Sequence, residues 1–204
     1  MVDDLYSGHD PAVAAVQVHA AAVGAKLILV GGVAVIAHGY QRPTQDRDFL
    51  VDYRISDRLA EAIWDDPDWE RLEIRQYAFL HKPSGIQVDF LVSGNLMDLG
   101  RPYCFPMIDT VETAGEIEGV PVIGLHDLLW LKLLAGRMQD LADVMQLCKL
   151  HLDEIKPDRV LAPLLPEDDD VRQVFLEILR KAPIEIANEQ RLGQGIRPKP
   201  KPKQ

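Results

Sequence analysis

Cysteine, positive charge and uninterrupted apolar sequence are all scarce in this chain of 204 residues. The two cysteines, Cys104 and Cys148, lie far apart. They make neither a disulfide framework nor a CxxC pair, which fits a reducing compartment. Lys and Arg number 22 against 32 Asp and Glu, for a formal charge of −10. That balance argues against a general grip on nucleic-acid phosphates, though not against a local basic site. The Ala- and Val-rich run over residues 12–40 comes nearest to a membrane span. Lys26 divides it and Gly31-Gly32 divides it again, so no piece is long enough to cross. The opening MVDDLYSGHDP is acidic and has no basic-then-apolar leader, so no secretory signal is expected. These absences point to a cytoplasmic protein with no membrane partner. With 47% hydrophobic residues the chain can bury a core, as one domain with an appendage or as two small ones.

Asp10-Pro11 reads as an N-cap and first helical residue, opening a helix over residues 11–24. KLILV (26–30) reads as a buried strand, followed by Gly31-Gly32 and a short helix, VAVIAHG. DFLVD is the next strand, and Ser56 is placed to cap the helix DRLAEAIWDD. RLEIRQYAFLHK and GIQVDFLV flank the turn signal Pro83-Ser84-Gly85 and read as paired strands. EIEGVPVIG (116–124) is a further short strand region. From His126 to about Leu150 apolar residues recur at three- and four-residue steps, predicting one long helix. PEDDDVRQVFLEILRKA supplies a last amphipathic helix, its acids in the first turn and bases in the last. The Gly-, Pro- and Lys-rich end reads as a disordered basic tail. The expected organisation is an α/β core over residues 1–124, a helical portion over 125–190 and the tail over 191–204.

The chemistry is concentrated in QDRDFLVD. In a strand, residues i and i+2 share a face, so Asp46 and Asp48 aim together while Arg47 points away. Two carboxylates that close repel unless a cation lies between them. Asp89, in the apolar run IQVDFLV, is a third acid in a costly place. Such a set suits Mg²⁺ or Mn²⁺, with phosphate oxygens completing the shell. Three carboxylates from two neighbouring strands suffice for two ions, one for an incoming hydroxyl and one for leaving pyrophosphate. Gly31-Gly32 lets a phosphate approach backbone amides with no side chain in the way. A bland reading exists for each part: a polar strand end, a capping acid, a simple turn. The order strand, Gly-Gly, helix, paired carboxylates is much harder to obtain by chance.

Farther along, Lys132, Gly136, Asp140 and Asp143 fall in one arc of the predicted helix. Gly136 costs such a helix about 1 kcal/mol against alanine, and its missing side chain would let a nucleotide or another backbone come close; an exposed Lys/Asp ladder is the bland reading. His38 and His126 read as structural, with no partner at metal-ligand spacing. Trp64, Trp69 and Trp130 read as packing residues, and the EDDD run at 167–170 as a helix start.

Gly31, Gly32, Asp46, Asp48 and Asp89 together resemble the signature of nucleotidyltransferases of the DNA polymerase β superfamily. There a Gly-Gly or Gly-Ser turn precedes an Asp-x-Asp strand, and a third acid follows on a later strand. The run Arg42-x-Thr44-x-Asp46-x-Asp48 is similar to minimal bacterial members that include the AbiEii-type toxins. The resemblance covers roughly residues 26–150. It implies an α/β (α+β) fold with a mixed sheet flanked by helices and a helical C-terminal portion. It also implies an NTP-dependent, pyrophosphate-releasing transferase that passes a nucleoside monophosphate to an acceptor hydroxyl. The acceptor class stays open among protein, RNA end and small molecule, and a toxin would bring a cognate antitoxin as partner. By the resemblance, Asp46, Asp48 and Asp89 are metal ligands and catalytic residues, and Asp140 assists as a base or positioning group. Gly31, Gly32, Arg42, Thr44, Lys132 and Arg137 become nucleotide-binding candidates, although Arg137 can equally anchor its helix. One departure is Arg47, where the family is usually apolar. It can sit at an exposed strand end or pair with Asp52 or another acid on the far face, whereas folded back onto Asp46 or Asp48 it would compete with metal. The alternatives are then an inactive binding or regulatory module, or a metal-dependent phosphodiester hydrolase.

Overall fold

In the computed structural model, which describes residues 9–73 and 77–193, Asp10 and Pro11 open the first helix as the sequence predicts. Helix α1 spans Pro11–Val23, and the Asp10 carboxylate accepts from the Ala12 and Val13 amides. It ends at Gly24 in the left-handed region that a residue with a Cβ enters at a cost. Strand β1 (Leu27–Leu29), helix α2 (Gly31–Ala37) and strand β2 (Asp46–Val51) follow. Helix α3 runs over Ser56–Trp64. Ser56 is its first helical residue and not its cap, because its hydroxyl donates back to the Tyr53 carbonyl.

The segment read as one strand, RLEIRQYAFLHK (71–82), is a strand only at its two ends: Arg71 closes β3 (Trp69–Arg71) and Ala78–His81 forms β4, antiparallel to β3, with residues 74–76 outside the described residues. Strand β5 (Ile86–Val92) pairs with β4 across the Pro83–Gly85 turn. The region 116–124 also resolves into a hairpin, β6 (Thr113–Ile117) and β7 (Val120–Ile123). Glu118 and Gly119 both have positive φ at its tip, the signature of a type I′ turn.

The sheet order is β3-β4-β5-β2-β1-β7-β6. It is mixed: β2–β5 and β1–β7 run parallel, the other neighbours antiparallel. Phe49, Phe79 and Phe90 pack ring to ring across three of these strands, with centroids 5.8 Å apart in each contacting pair. Leu29, Leu59, Ile63 and Ile123 are fully buried.

The chain forms two compact units divided between Leu128 and Leu129, so the whole sheet lies in the first. The boundary falls within helix α4 (Leu125–Ala135). The single helix predicted over 126–150 is broken: α4 stops at Ala135 and α5 (Met138–Leu150) begins after Gly136, which has φ +60°, and the extended Arg137. A left-handed residue cannot continue a right-handed helix. In the second unit, α5 and α7 (Asp169–Arg191) pack against each other, with α6 (Pro157–Leu161) between them in sequence. Helix α7 buries Val171, Phe175, Ile178 and Ala182 and carries Pro183 inside it. Of the predicted tail, Arg191 is helical, and residues 194–204 lie outside the described residues. Among the described residues no helix is long and apolar enough to cross a membrane.

Candidate active site

Asp46 and Asp48 head β2, with Arg47 buried between them on the other face. The parallel register of β2 on β5 sets Asp48 directly beside Asp89, and Asp46 beside Gln87. Ligand oxygens from the three aspartates lie within 4.8 Å of one another. Oxygens on one Mg²⁺ stand at most about 4.2 Å apart, given Mg–O distances near 2.1 Å. A small inward rotation of these carboxylates therefore meets an ion's demand, and the all-oxygen donor set is the one a hard divalent cation selects.

The glycines stand against this cluster. The Val30 amide donates to the Asp48 carbonyl at 2.9 Å, which locks the start of α2 to the carboxylate strand. Gly31 has φ +61°, and a Cβ there would collide with the Asp48 carboxylate. A Cβ on Gly32 would strike the Thr44 hydroxyl and crowd the Arg42 guanidinium. The missing side chains let Asp48 pack against the backbone of Gly31, and Thr44 and Arg42 against that of Gly32.

Two neighbours fix the outer carboxylates. The Thr44 hydroxyl donates to Asp46 Oδ1 at 3.0 Å, and Gln87 Nε2 donates to Asp89 Oδ2 at 2.9 Å. The signal for Gln87 in the sequence is its place two residues before Asp89 on the same strand face. Arg47 does not turn back onto the carboxylates. Its Nε donates to Asp10 Oδ2 at 2.5 Å, and its Nη1 to the Asp46 backbone carbonyl at 2.9 Å. The sequence marks Asp10 as a helix cap, and nothing local pairs it with Arg47.

The remaining candidates belong to the helical unit. Lys132 is buried, and its Nζ contacts Asp140 Oδ1 and Asp143 Oδ2, each at 2.8 Å. Arg137 Nε reaches Asp140 Oδ2 at 2.6 Å, while Gln139 donates to Asp143 at 3.0 Å. Lys132, Asp140 and Asp143 thus meet although the helix linking them is broken. Burial pushes the Asp140 carboxyl up, but hydrogen bonds from Arg137 and Lys132 outweigh it and hold it below the usual carboxylate range. His38 is structural, its Nε2 within 2.8 Å of the Ile123 carbonyl. Trp69 and Trp130 are buried as expected, whereas Trp64 is 59% exposed with the Arg71 guanidinium 4.7 Å above its ring.

No protein-family model and no curated protein matches the chain. Solved structures do. One is the solution structure of the antibiotic-resistance factor ANT(2'')-Ia, 13% identical, covering 87% of this chain and 95% of that one at a TM-score of 0.50. Another is an antigenic nucleotidyltransferase-like protein from Paracoccidioides brasiliensis, 16% identical, covering 85% and 92% at a TM-score of 0.50. At such identities the likeness is one of fold. The chain has a nucleotidyltransferase-like α/β fold with a helical C-terminal part.

Proposed function

We propose that the protein is a divalent-metal-dependent nucleotidyltransferase that moves a nucleoside monophosphate from an NTP to an acceptor hydroxyl. The observation that carries this reading is the convergence of Asp46, Asp48 and Asp89 beside two glycines whose bare backbone a side chain would obstruct. Mg²⁺ or Mn²⁺, when bound, neutralises phosphate charge and makes a coordinated hydroxyl more acidic. Asp46 and Asp48 hold the cation with the triphosphate. The backbone amides of Gly31 and Gly32 steady a phosphate, and Arg42 adds positive charge beside Gly32. Asp89 orients the acceptor hydroxyl and accepts its proton as the oxygen attacks the α-phosphorus in line, and pyrophosphate leaves as its bond to that phosphorus breaks.

Asp140, 1% exposed and paired with two cations, suits the positioning of Lys132 better than it suits taking a proton. Phosphate binding by Lys132 and Arg137 rests on the sequence resemblance. The inactive-module reading needs Arg47 among the carboxylates, and Arg47 is committed to Asp10 on the opposite face.

Calorimetry with each NTP, with and without Mg²⁺, tests the proposal on the wild type and an Asp46→Asn/Asp48→Asn variant. Binding that requires both metal and aspartates is the expected result, with labelled NTP then giving pyrophosphate and not a hydrolysed diester. A folded protein that binds no NTP would overturn it. The Arg-x-Thr-x-Asp-x-Asp run further supports a toxin-type role countered by an antitoxin. Its expected sign is arrested growth of a bacterial host expressing the wild type but not the double variant.

A further inference from the structure

An arginine stands between the two carboxylates that head β2, and metal binding alone does not explain it. Arg47 is nearly enclosed, its side chain 11% exposed, and it faces the fully enclosed Asp10 carboxylate. Both Asp10 oxygens are engaged: Oδ1 takes the Ala12 and Val13 amides at 3.2 and 3.1 Å, Oδ2 takes Arg47 Nε. The Asp10 amide donates to Glu118 Oε1 at 3.0 Å, which ties the same point to the β6–β7 turn. We infer that Arg47 is a positioning residue, fastening the Asp46–Asp48 segment to the N-cap of α1 so that this helix becomes part of the metal site's support. The inference rests on the proposed reading of the carboxylates as metal ligands.

Energetics favour geometry over stability as the reason for the pair. Desolvating two charges costs roughly what their attraction returns, so apolar side chains would hold the fold as well. The planar guanidinium supplies direction instead, offering several donors in one fixed fork. It uses one on Asp10 and another on the Asp46 carbonyl. Asp46 is the first residue of β2, where a strand has no further ladder bonds before it. Its carboxylate is braced by Thr44 and its backbone by Arg47, so the ligand is held from both sides. Supporting contacts of this kind orient ligands before a metal arrives, and their loss typically weakens metal affinity by about 10- to 100-fold.

The test is Mn²⁺ calorimetry on the full chain in four forms: wild type, Asp46→Asn/Asp48→Asn, Arg47→Met/Asp10→Ser and Arg47→Lys. The Met/Ser pair removes both buried charges together, and serine keeps an N-cap for α1. It should keep the wild-type circular dichroism and bind Mn²⁺ about tenfold or more weakly. Amide exchange at residues 46–48 should accelerate in the metal-free protein. Arg47→Lys retains the charge opposite Asp10 but lacks the fork, and should weaken Mn²⁺ severalfold. A folded Met/Ser variant with wild-type affinity and exchange overturns the inference. If the Met/Ser variant does not fold, unchanged affinity in Arg47→Lys overturns it equally. A wild type that binds no Mn²⁺, or a double-Asn variant that binds as tightly, defeats the carboxylate reading instead. Exchange at residues 46–48 then still decides whether Arg47 holds the strand.

Discussion

At the scale of single residues, the candidate site is defined less by the three aspartates than by what stops them from swinging. A carboxylate on a short side chain has two rotatable bonds, and a site that must close on a small ion tolerates little misplacement. Thr44 and Gln87 each hold one oxygen of an outer aspartate. Gln87→Met keeps the side chain's length and removes the donor to Asp89. The expected outcome is about tenfold weaker Mn²⁺ binding by calorimetry, with unfolding by urea within about 0.5 kcal/mol of wild type. Equal loss of stability and affinity would make Gln87 a strand residue and nothing more. Asp46 and Asp48 were legible in the sequence because their common face follows from the period of a strand, a purely local property. Asp89 was legible as an acid in an apolar run. Its pairing with Gln87 was not, because amide and carboxylate are common neighbours on any strand and only the register shows them engaged. Asp10 and Arg47 were beyond reach for a different reason. They are 37 residues apart, and their meeting depends on how α1 docks.

At the scale of elements, the helix read as continuous is the instructive miss. Leu128, Leu131 and Leu134 before the break, and Leu141 and Met145 after it, keep helical spacing on both sides. Periodicity therefore passes over a two-residue interruption without a phase error large enough to notice. Gly136 was the one sign of it, read as a gap for a ligand when its backbone is the end of α4. The two readings predict opposite signs for Gly136→Ala. In a continuous helix alanine would stabilise by about 1 kcal/mol. At φ +60° it should destabilise by about 1–2 kcal/mol. The new Cβ would sit 3.6 Å from the Leu133 carbonyl and 3.8 Å from that of Leu134, ordinary contacts that add little to this cost. Urea unfolding of the single variant decides the sign. The hairpin β6–β7 reads from sequence as a single short strand region for a related reason. Glu-Gly is a weak turn signal beside Asn-Gly, so Glu118 at positive φ was not foreseen.

At the scale of the whole molecule, two electrostatic tendencies oppose each other as the solution is acidified. The chain carries a formal charge of −10 at pH 7, so protonating exposed carboxylates relieves self-repulsion and by itself favours the folded state. Buried pairs act the other way. Asp140 is pushed up by burial but held below its ordinary pKa by Arg137 and Lys132, so the unfolded chain takes up its proton first. Its contribution is therefore complete above the unfolded value of about 3.9 and is lost as pH falls through the lower folded value. Asp140→Asn separates this term from the general charge effect, since both proteins share every other carboxylate. At neutral pH the variant should be less stable by about 3 kcal/mol, at the low end for breaking a buried pair because Lys132 keeps Asp143. The difference should hold steady from pH 7 to about 5 and shrink steadily below about 4. Hydrogen exchange should locate the loss in residues 132–150, with β2 and β5 unchanged. A gap that widens on acidification would mean that Asp140 is held neutral and not paired. Loss of protection in β2 would mean that the helical ion cluster supports the sheet as well as its own unit.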